Sequence, residues 1–229
     1  MEWANSIFSF ENRSSPSEFI RRIWRTRGVA DKAMISVATP YWRIIIVNHS
    51  RGPTMVVARG PETRASIVEI PQGADFIGIE FEMGTFMPDL ATQSLVDVGR
   101  EFDAASKSRI KLAGSSWEVP TYENAADFVA ALARRGALVR DPVVGQTLLR
   151  EPVAITERSV QRRFVRATGL TYGTIRQIER AGRAAELLAA GTFIHRAVEI
   201  AGYSDQAHMT RSLRRFLGKT PGKLISDDT

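Results

Sequence analysis

Arginine is the residue type through which this chain has most scope for chemistry, and it recurs within a repeat. Val160-Gln161-Arg162-Arg163-Phe164-Val165-Arg166-Ala167-Thr168-Gly169-Leu170-Thr171 returns 49 residues later as Met209-Thr210-Arg211-Ser212-Leu213-Arg214-Arg215-Phe216-Leu217-Gly218-Lys219-Thr220. Apolar, Arg, apolar, Arg, Gly and Thr fall at matched positions. A guanidinium is a planar fork that can grip phosphate or guanine with two hydrogen bonds. Other reactive types are sparse. His49, His195 and His208 lie far apart, and Cys is absent. Disulfides, thiolate metal sites and cysteine nucleophiles are thereby excluded, and neither a metal nor a cofactor is expected. Glu80 and Glu82 share a strand face by period-two spacing. Such a pair can do acid–base work, but with no partner group beside it a solvated sheet face is the preferred reading. Gly60-Pro61-Glu62-Thr63 and Gly73 read as turns, and no phosphate-binding glycine fingerprint appears.

The elements that must carry these arginines are helical. Val160, Phe164 and Ala167 lie on one face of the first copy, and Met209, Leu213 and Phe216 on one face of the second. Thr156 and Ser204 are expected as N-caps, and Gly169 and Gly218 as stops, because glycine tolerates the left-handed C′ conformation. The opposite faces show Arg158, Gln161 and Arg162 in the first helix, and Gln206, Ala207, His208, Thr210 and Arg211 in the second. Arg166 and Arg215 are also matched, nearer the helix ends. Between the copies, residues 171–190 carry an apolar stripe and predict a helix about 30 Å long, close to the ~34 Å of one DNA turn. Phe193–Ile200 predicts a short helix and Ala201-Gly202-Tyr203 a tight turn. Short helix, glycine turn and polar helix follow in the helix-turn-helix order.

Charge follows the same division. The 229 residues carry a net +6; residues 1–140 hold 17 basic and 16 acidic side chains, while residues 150–223 hold 14 and 6, a net +8, with 12 of the 14 being Arg. A polyanion partner for the second part is one reading, and a solvated basic surface is the other.

These residues closely resemble the AraC/XylS family of bacterial transcription regulators. The resemblance rests on Arg162–Phe164, Thr168-Gly169-Leu170-Thr171, Arg180 with Ala184 and Leu187–Leu188, Ala201-Gly202-Tyr203-Ser204-Asp205-Gln206, Arg211, and Phe216-Leu217-Gly218-Lys219-Thr220-Pro221. It covers roughly residues 124–224 and implies two helix-turn-helix subdomains joined by a linker helix. Carried over by position, Arg158, Gln161 and Arg162 would read bases from the first recognition helix, and Gln206, Ala207, His208 and Arg211 would take the matching places on the second. Arg166 and Arg215 are expected on phosphates. Ala207, Ala197 with Val198, and the short Pro142–Leu149 segment followed by Pro152 depart from the family pattern. Glu123–Arg135 and Pro142–Leu149 are expected to be the helices preceding the first recognition helix. Gly182 in the linker implies either close packing or a bend.

The first half has a different texture. Glu18–Arg27, Trp42–Asn48, Thr54–Arg59, Ala65–Ile70 and Asp75–Glu82 read as short strands between turn signals, as in an antiparallel sandwich or barrel. Residues 90–117 are less regular and predict a helix or long loop. The expected class is α+β: a β-rich domain over 1–122, which the family resemblance implies is a cupin-like sensing or dimerisation domain, then an all-α domain over 123–229 that folds without it. Trp3, Trp24, Trp42 and Trp117 fit a ligand pocket, a core or a dimer interface equally well.

Together these readings predict a sequence-specific regulator binding double-stranded DNA, with RNA polymerase, a small effector and a second copy as further candidate partners. A cupin-like enzyme with an appended nucleic-acid module is the alternative, disfavoured by the missing His clusters. No apolar run approaches membrane-spanning length, and residues 1–12 lack a secretion signal, so the expected location is the cytoplasm.

Overall fold

The computed structural model describes residues 10–28, 32–49, 52–106 and 108–226. Trp3 and the tail 227–229 lie outside them. The first half is built from β1 (Glu11–Arg13), β2 (Ile20–Arg27), β3 (Lys32–Ser36), β4 (Arg43–Asn48), β5 (Met55–Arg59), β6 (Ser66–Ile70), β7 (Asp75–Phe81) and β8 (Thr85–Phe86). A 3-10 turn follows at Thr92–Leu95, then β9 (Gly99–Glu101), β10 (Ala104–Ser106), β11 (Arg109–Leu112), β12 (Ser115–Glu118), α1 (Ala125–Arg134) and β13 (Val139–Arg140). The helical half comprises α2 (Pro142–Leu148), α3 (Glu157–Thr168), α4 (Tyr172–Ala189), α5 (Ile194–Ala201), α6 (Gln206–Leu217) and α7 (Pro221–Ser226). No helix among the described residues is long and apolar enough to cross a membrane.

Six strands form an antiparallel sheet in the order β1-β2-β7-β4-β5-β9. Its two edges are different strands, so the sheet is open, not a closed barrel. Alternation buries Ile23, Ile44, Ile46, Val56, Ala58 and Ile79 on one face. The β10-β11-β12 sheet and α1 pack into the same core through Ile110, Leu112, Trp117, Phe128, Val129 and Leu132. Each such side chain contributes about 1.5–3 kcal/mol by leaving water. Residues 90–117, expected as a helix or loop, thus fold mainly as four short strands. Helix α1 also differs from expectation: its apolar stripe meets the sheet, so it is not part of the first helix-turn-helix.

The tryptophans that the structure describes are packing residues. Trp42 stacks on Phe81 with ring centroids 4.2 Å apart and donates from Nε1 to the Thr85 carbonyl at 2.6 Å. Trp117 donates to the Leu112 carbonyl at 2.9 Å. The Trp24 indole covers Gly78, where a Cβ would lie 2.0 Å from the ring.

Two buried carboxylates organise the sheet. Glu80, expected on a solvated face, is 2% exposed and bound by Arg21 at 2.6 Å and Arg22 at 3.2 Å. Arg21 in turn lies over the Tyr41 ring, 4.1 Å from its centroid. Glu62, 1% exposed, accepts from Arg43, from Arg59 at 2.7 Å and from the Ser36 hydroxyl. Burial alone would raise its pKa, but the two guanidiniums outweigh burial and hold the carboxyl below its usual range.

A lowered folded-state pKa contributes stability that is fully present above the ordinary carboxylate pKa and lost as pH falls through the lowered value. Glu62→Gln should therefore cost about 3 kcal/mol near neutral pH, because it leaves two guanidiniums without their counter-charge. Urea unfolding should show the gap between wild type and variant closing as the solution is acidified. A gap that is unchanged down to strongly acid pH would refute this account.

Candidate nucleic-acid interface

The two arginine helices have matching local designs. Helix α3 begins where the Thr156 side chain accepts from the Ser159 amide at 3.3 Å, and ends at Gly169 with φ 74°. Helix α6 ends at Gly218 with φ 69°. Its N-cap is Asp205, not the expected Ser204: the carboxylate accepts from the His208 amide at 2.6 Å. Ser204 supports the cap from outside, donating to Asp205 at 3.1 Å and standing 3.1 Å from His208 Nδ1. The amide bond, then the serine hydroxyl, hold the Asp205 carboxyl below its usual range, with Arg211 adding its charge.

The buried side of α6 is fixed by Met209, Leu213, Phe216 and Leu217, packed on the stripe of α4 formed by Ile178, Ala181, Ala184, Ala185 and Leu188. Ala197 is fully buried at the α5 contact, and Val198 packs against the same cluster. The small residue at 197 is thus accommodated in a closed core. Tyr203, in the turn, donates from its hydroxyl to Ser212 on α6 at 2.9 Å and meets the His208 ring edge-on at 5.1 Å. Arg180 of α4 lies over the Tyr203 ring and donates to the Gly202 carbonyl at 3.3 Å. Helix α4, the turn and α6 are tied together by these contacts.

The first helix-turn-helix is mounted differently. Strand β13 pairs with β8, and the Asp141 amide donates to the Gly84 carbonyl at 2.9 Å. Asp141 also caps α2 through the Val143 amide and holds Arg163 of α3 at 2.8 Å. Residues 149–156 connect α2 to α3 in place of a tight turn. Sequence reasoning missed the Asp141–Arg163 pair, although aspartate directly before Pro142 is a legible helix-start signal.

The structure leaves Arg158, Gln161, Arg162 and Arg166 exposed on α3, and Gln206, Ala207, Arg211 and Arg215 exposed on α6. His208 is half-buried against Tyr203 and Ser204. Gln161 reaches Glu157 at 3.5 Å, Arg166 lies over the Phe86 ring, and Arg215 lies over Phe216. A cavity of about 380 Å³ opens beside Arg162 and Arg166, floored by Phe86, Met87 and Leu90. His195 is exposed and stacked on Phe193, and His49 is half-buried. Among the described residues no group of three or more His, Asp or Glu stands together as a metal site would require.

With this geometry, the family model described as a helix-turn-helix domain matches residues 151–226. Residues 151–226 are a helix-turn-helix domain of the AraC type. A similar protein is the HTH-type transcriptional regulator RipA of Corynebacterium diphtheriae, 36% identical over 72 residues. The match takes in 31% of this chain, which spans 22% of that regulator's length. Among solved structures, ToxT from Vibrio cholerae superposes over 96% of this chain and 98% of its own with a TM-score of 0.39 and 10% identity.

Gly182 was expected to serve close packing or a bend. Helix α4 passes through it without interruption, and a Cβ there would meet nothing within 4 Å. Gly182→Ala should raise stability by about 1 kcal/mol, since glycine is the costlier residue in a helix interior. A thermal melt that moves down would show that the open space around residue 182 is used.

Proposed function

We propose that this chain is a sequence-specific regulator of transcription that docks on double-stranded DNA with α3 and α6. The observation that carries the reading is the pair of capped, arginine-bearing helices whose polar faces stand exposed inside an AraC-type domain. Phosphate contacts would supply most of the affinity and base edges the selectivity. Arg158, Gln161, Arg162, Gln206 and Arg211 are the base readers in this reading, with Ala207 contributing only apolar contact. His208, engaged by Ser204 and Tyr203, has less freedom to reach a base. Arg166 and Arg215 take phosphates.

The β-rich half with α1 is the sensing or dimerising part, and the helices from Pro142 onward form the DNA-binding part. A small effector would find its seat in the cavity beside Arg162 and Arg166, where it meets arginines that DNA also needs. RNA polymerase and a second copy are further proposed partners, as expected of a cytoplasmic regulator. Among the described residues no arrangement of side chains favours an enzymatic reading.

Binding should weaken steeply with salt. If ~6 phosphates are neutralised, log K against log salt should fall with a slope near −5; a slope near zero would remove the DNA reading. Selection of bound sites from random duplexes then tests the reading helices. Arg162→Ala and Arg211→Ala should each cost about 1–3 kcal/mol and relax preference at separate clusters of positions. Arg166→Ala and Arg215→Ala should weaken all sequences alike. Melting curves guard against a purely structural role, because an arginine used for packing would lower stability and leave preference untouched.

A further inference from the structure

The spacing of two recognition helices on one duplex is a property of whatever holds both. In the sequence reading this task falls to α4 alone. The structure distributes it otherwise. Helix α6 rests on α4 along its length, but α3 meets α4 chiefly at the Phe164–Tyr172 edge contact, with centroids 5.7 Å apart. Most of the packing around α3 comes from α2, β8 and the 3-10 turn at Thr92–Leu95. Of these, β8 and the 3-10 turn belong to the β-rich half, and α2 is fastened to it through β13 and the Asp141–Gly84 hydrogen bond.

The β-rich half also grips α6. The last carbonyls of a helix have no donors within it. In α6 the Phe216 carbonyl accepts from the Ala38 amide at 2.7 Å, and the Arg215 carbonyl from the Ala65 amide at 2.8 Å. The two donor loops are themselves joined, since Thr39 and Glu62 exchange backbone hydrogen bonds at 3.0 and 2.8 Å. Both C-cap glycines lie against the β-rich half. A Cβ on Gly169 would stand 2.9 Å from the Thr92 carbonyl oxygen, and one on Gly218 would stand 3.1 Å from Ile35 and 3.2 Å from Ala65. Ala38, Met83 and Phe86 complete the apolar core of the helical half.

From these contacts we propose that the β-rich half is the ruler of the DNA-binding surface: it holds α3 along its packed side and α6 by its C-terminal end, and fixes the distance and angle between them. The proposal rests on the DNA-binding reading above. The grip is compatible with a bound duplex, because it takes the packed side of α3 and the C-terminal end of α6 and leaves Arg158, Gln161, Arg162, Gln206 and Arg211 exposed. It is therefore a frame that stays closed on DNA, not a latch that must open.

The test uses the full chain and a selected site with two subsites, lengthened between them by 1 or 2 bp. Two added base pairs turn one subsite by about 70° relative to the other, so wild type should lose at least about tenfold in affinity. Ala65→Leu wedges the Gly218 contact from a half-buried position without adding charge, and Ala65→Ser serves as the control. The leucine variant should bind the original site more weakly and lose little more on the lengthened ones, while the serine variant keeps the wild-type dependence. Spacing dependence identical in wild type and Ala65→Leu would overturn the ruler and leave the DNA reading standing. Absence of any preferred site would overturn the DNA reading itself. Hydrogen exchange at the Ala38 and Ala65 amides of the wild-type chain gives a second measurement that needs no variant. Protection retained on DNA supports the frame, and protection lost on binding overturns it.

Discussion

A helix that ends against protein has to find donors for its last carbonyls, and α6 finds two of them in the other half of the chain. The Ala38 and Ala65 amides satisfy Phe216 and Arg215. A buried carbonyl left without a partner costs roughly 1–3 kcal/mol, so this junction cannot be opened to solvent-excluded space without penalty. The orientation of α6 is accordingly bound to the geometry of loops that lie more than 140 residues earlier in sequence. Helix α3 is bound to the same half by packing, by β8–β13 pairing and by the Asp141–Arg163 ion pair.

Those loops are in turn set by a buried charge. Glu62 sits between Arg43 of β4 and Arg59 of β5, accepts from Ser36 of β3, and pairs its backbone with Thr39. Desolvating a carboxylate is unfavourable unless its partners are well placed, and here they come from three strands. The requirement to satisfy one charge thus fixes where residues 36–39 and 62–65 run, and these are the residues on either side of the α6 junction. Charge satisfaction in the sheet and helix capping at the C-terminal end of α6 are consecutive links in one chain of constraints.

Much of this was legible in the sequence. Short β-branched and aromatic runs between turn signals located β2, β4, β5, β6 and β7 to within a residue or two, and the 49-residue repeat located α3 and α6 with their glycine stops. The arginines that the pattern placed on polar faces are exposed. What failed did so for identifiable reasons. Strand β3 pairs with β6 around Ile35 and Ile67, which remain 38% and 76% exposed, so no buried face marked it. The apolar stripe of α1 announced that one face is buried and could not say against which neighbour. Ser204 and Asp205 are adjacent and equally able to cap, and only the backbone at Asp205, with φ −162° and ψ 169°, decided between them. The α6 junction left no trace at all, because a backbone amide of alanine donates as any other residue's would.

The tight seat of Gly218 against Ile35 and Ala65 bears on how such chains diversify. A helix-turn-helix can be exchanged between proteins as a cassette when its boundary is a flexible linker. Here the boundary is a fitted surface: a Cβ on Gly218 would press on the Ile35 and Ala65 side chains, and the two carbonyls just before it are held by backbone donors from another part of the chain. Change on either side has to be matched on the other. The β-rich half and the helical half are therefore constrained to drift together, and a hybrid that joins this helical domain to a foreign β-rich partner would inherit its exposed arginines without inheriting their arrangement.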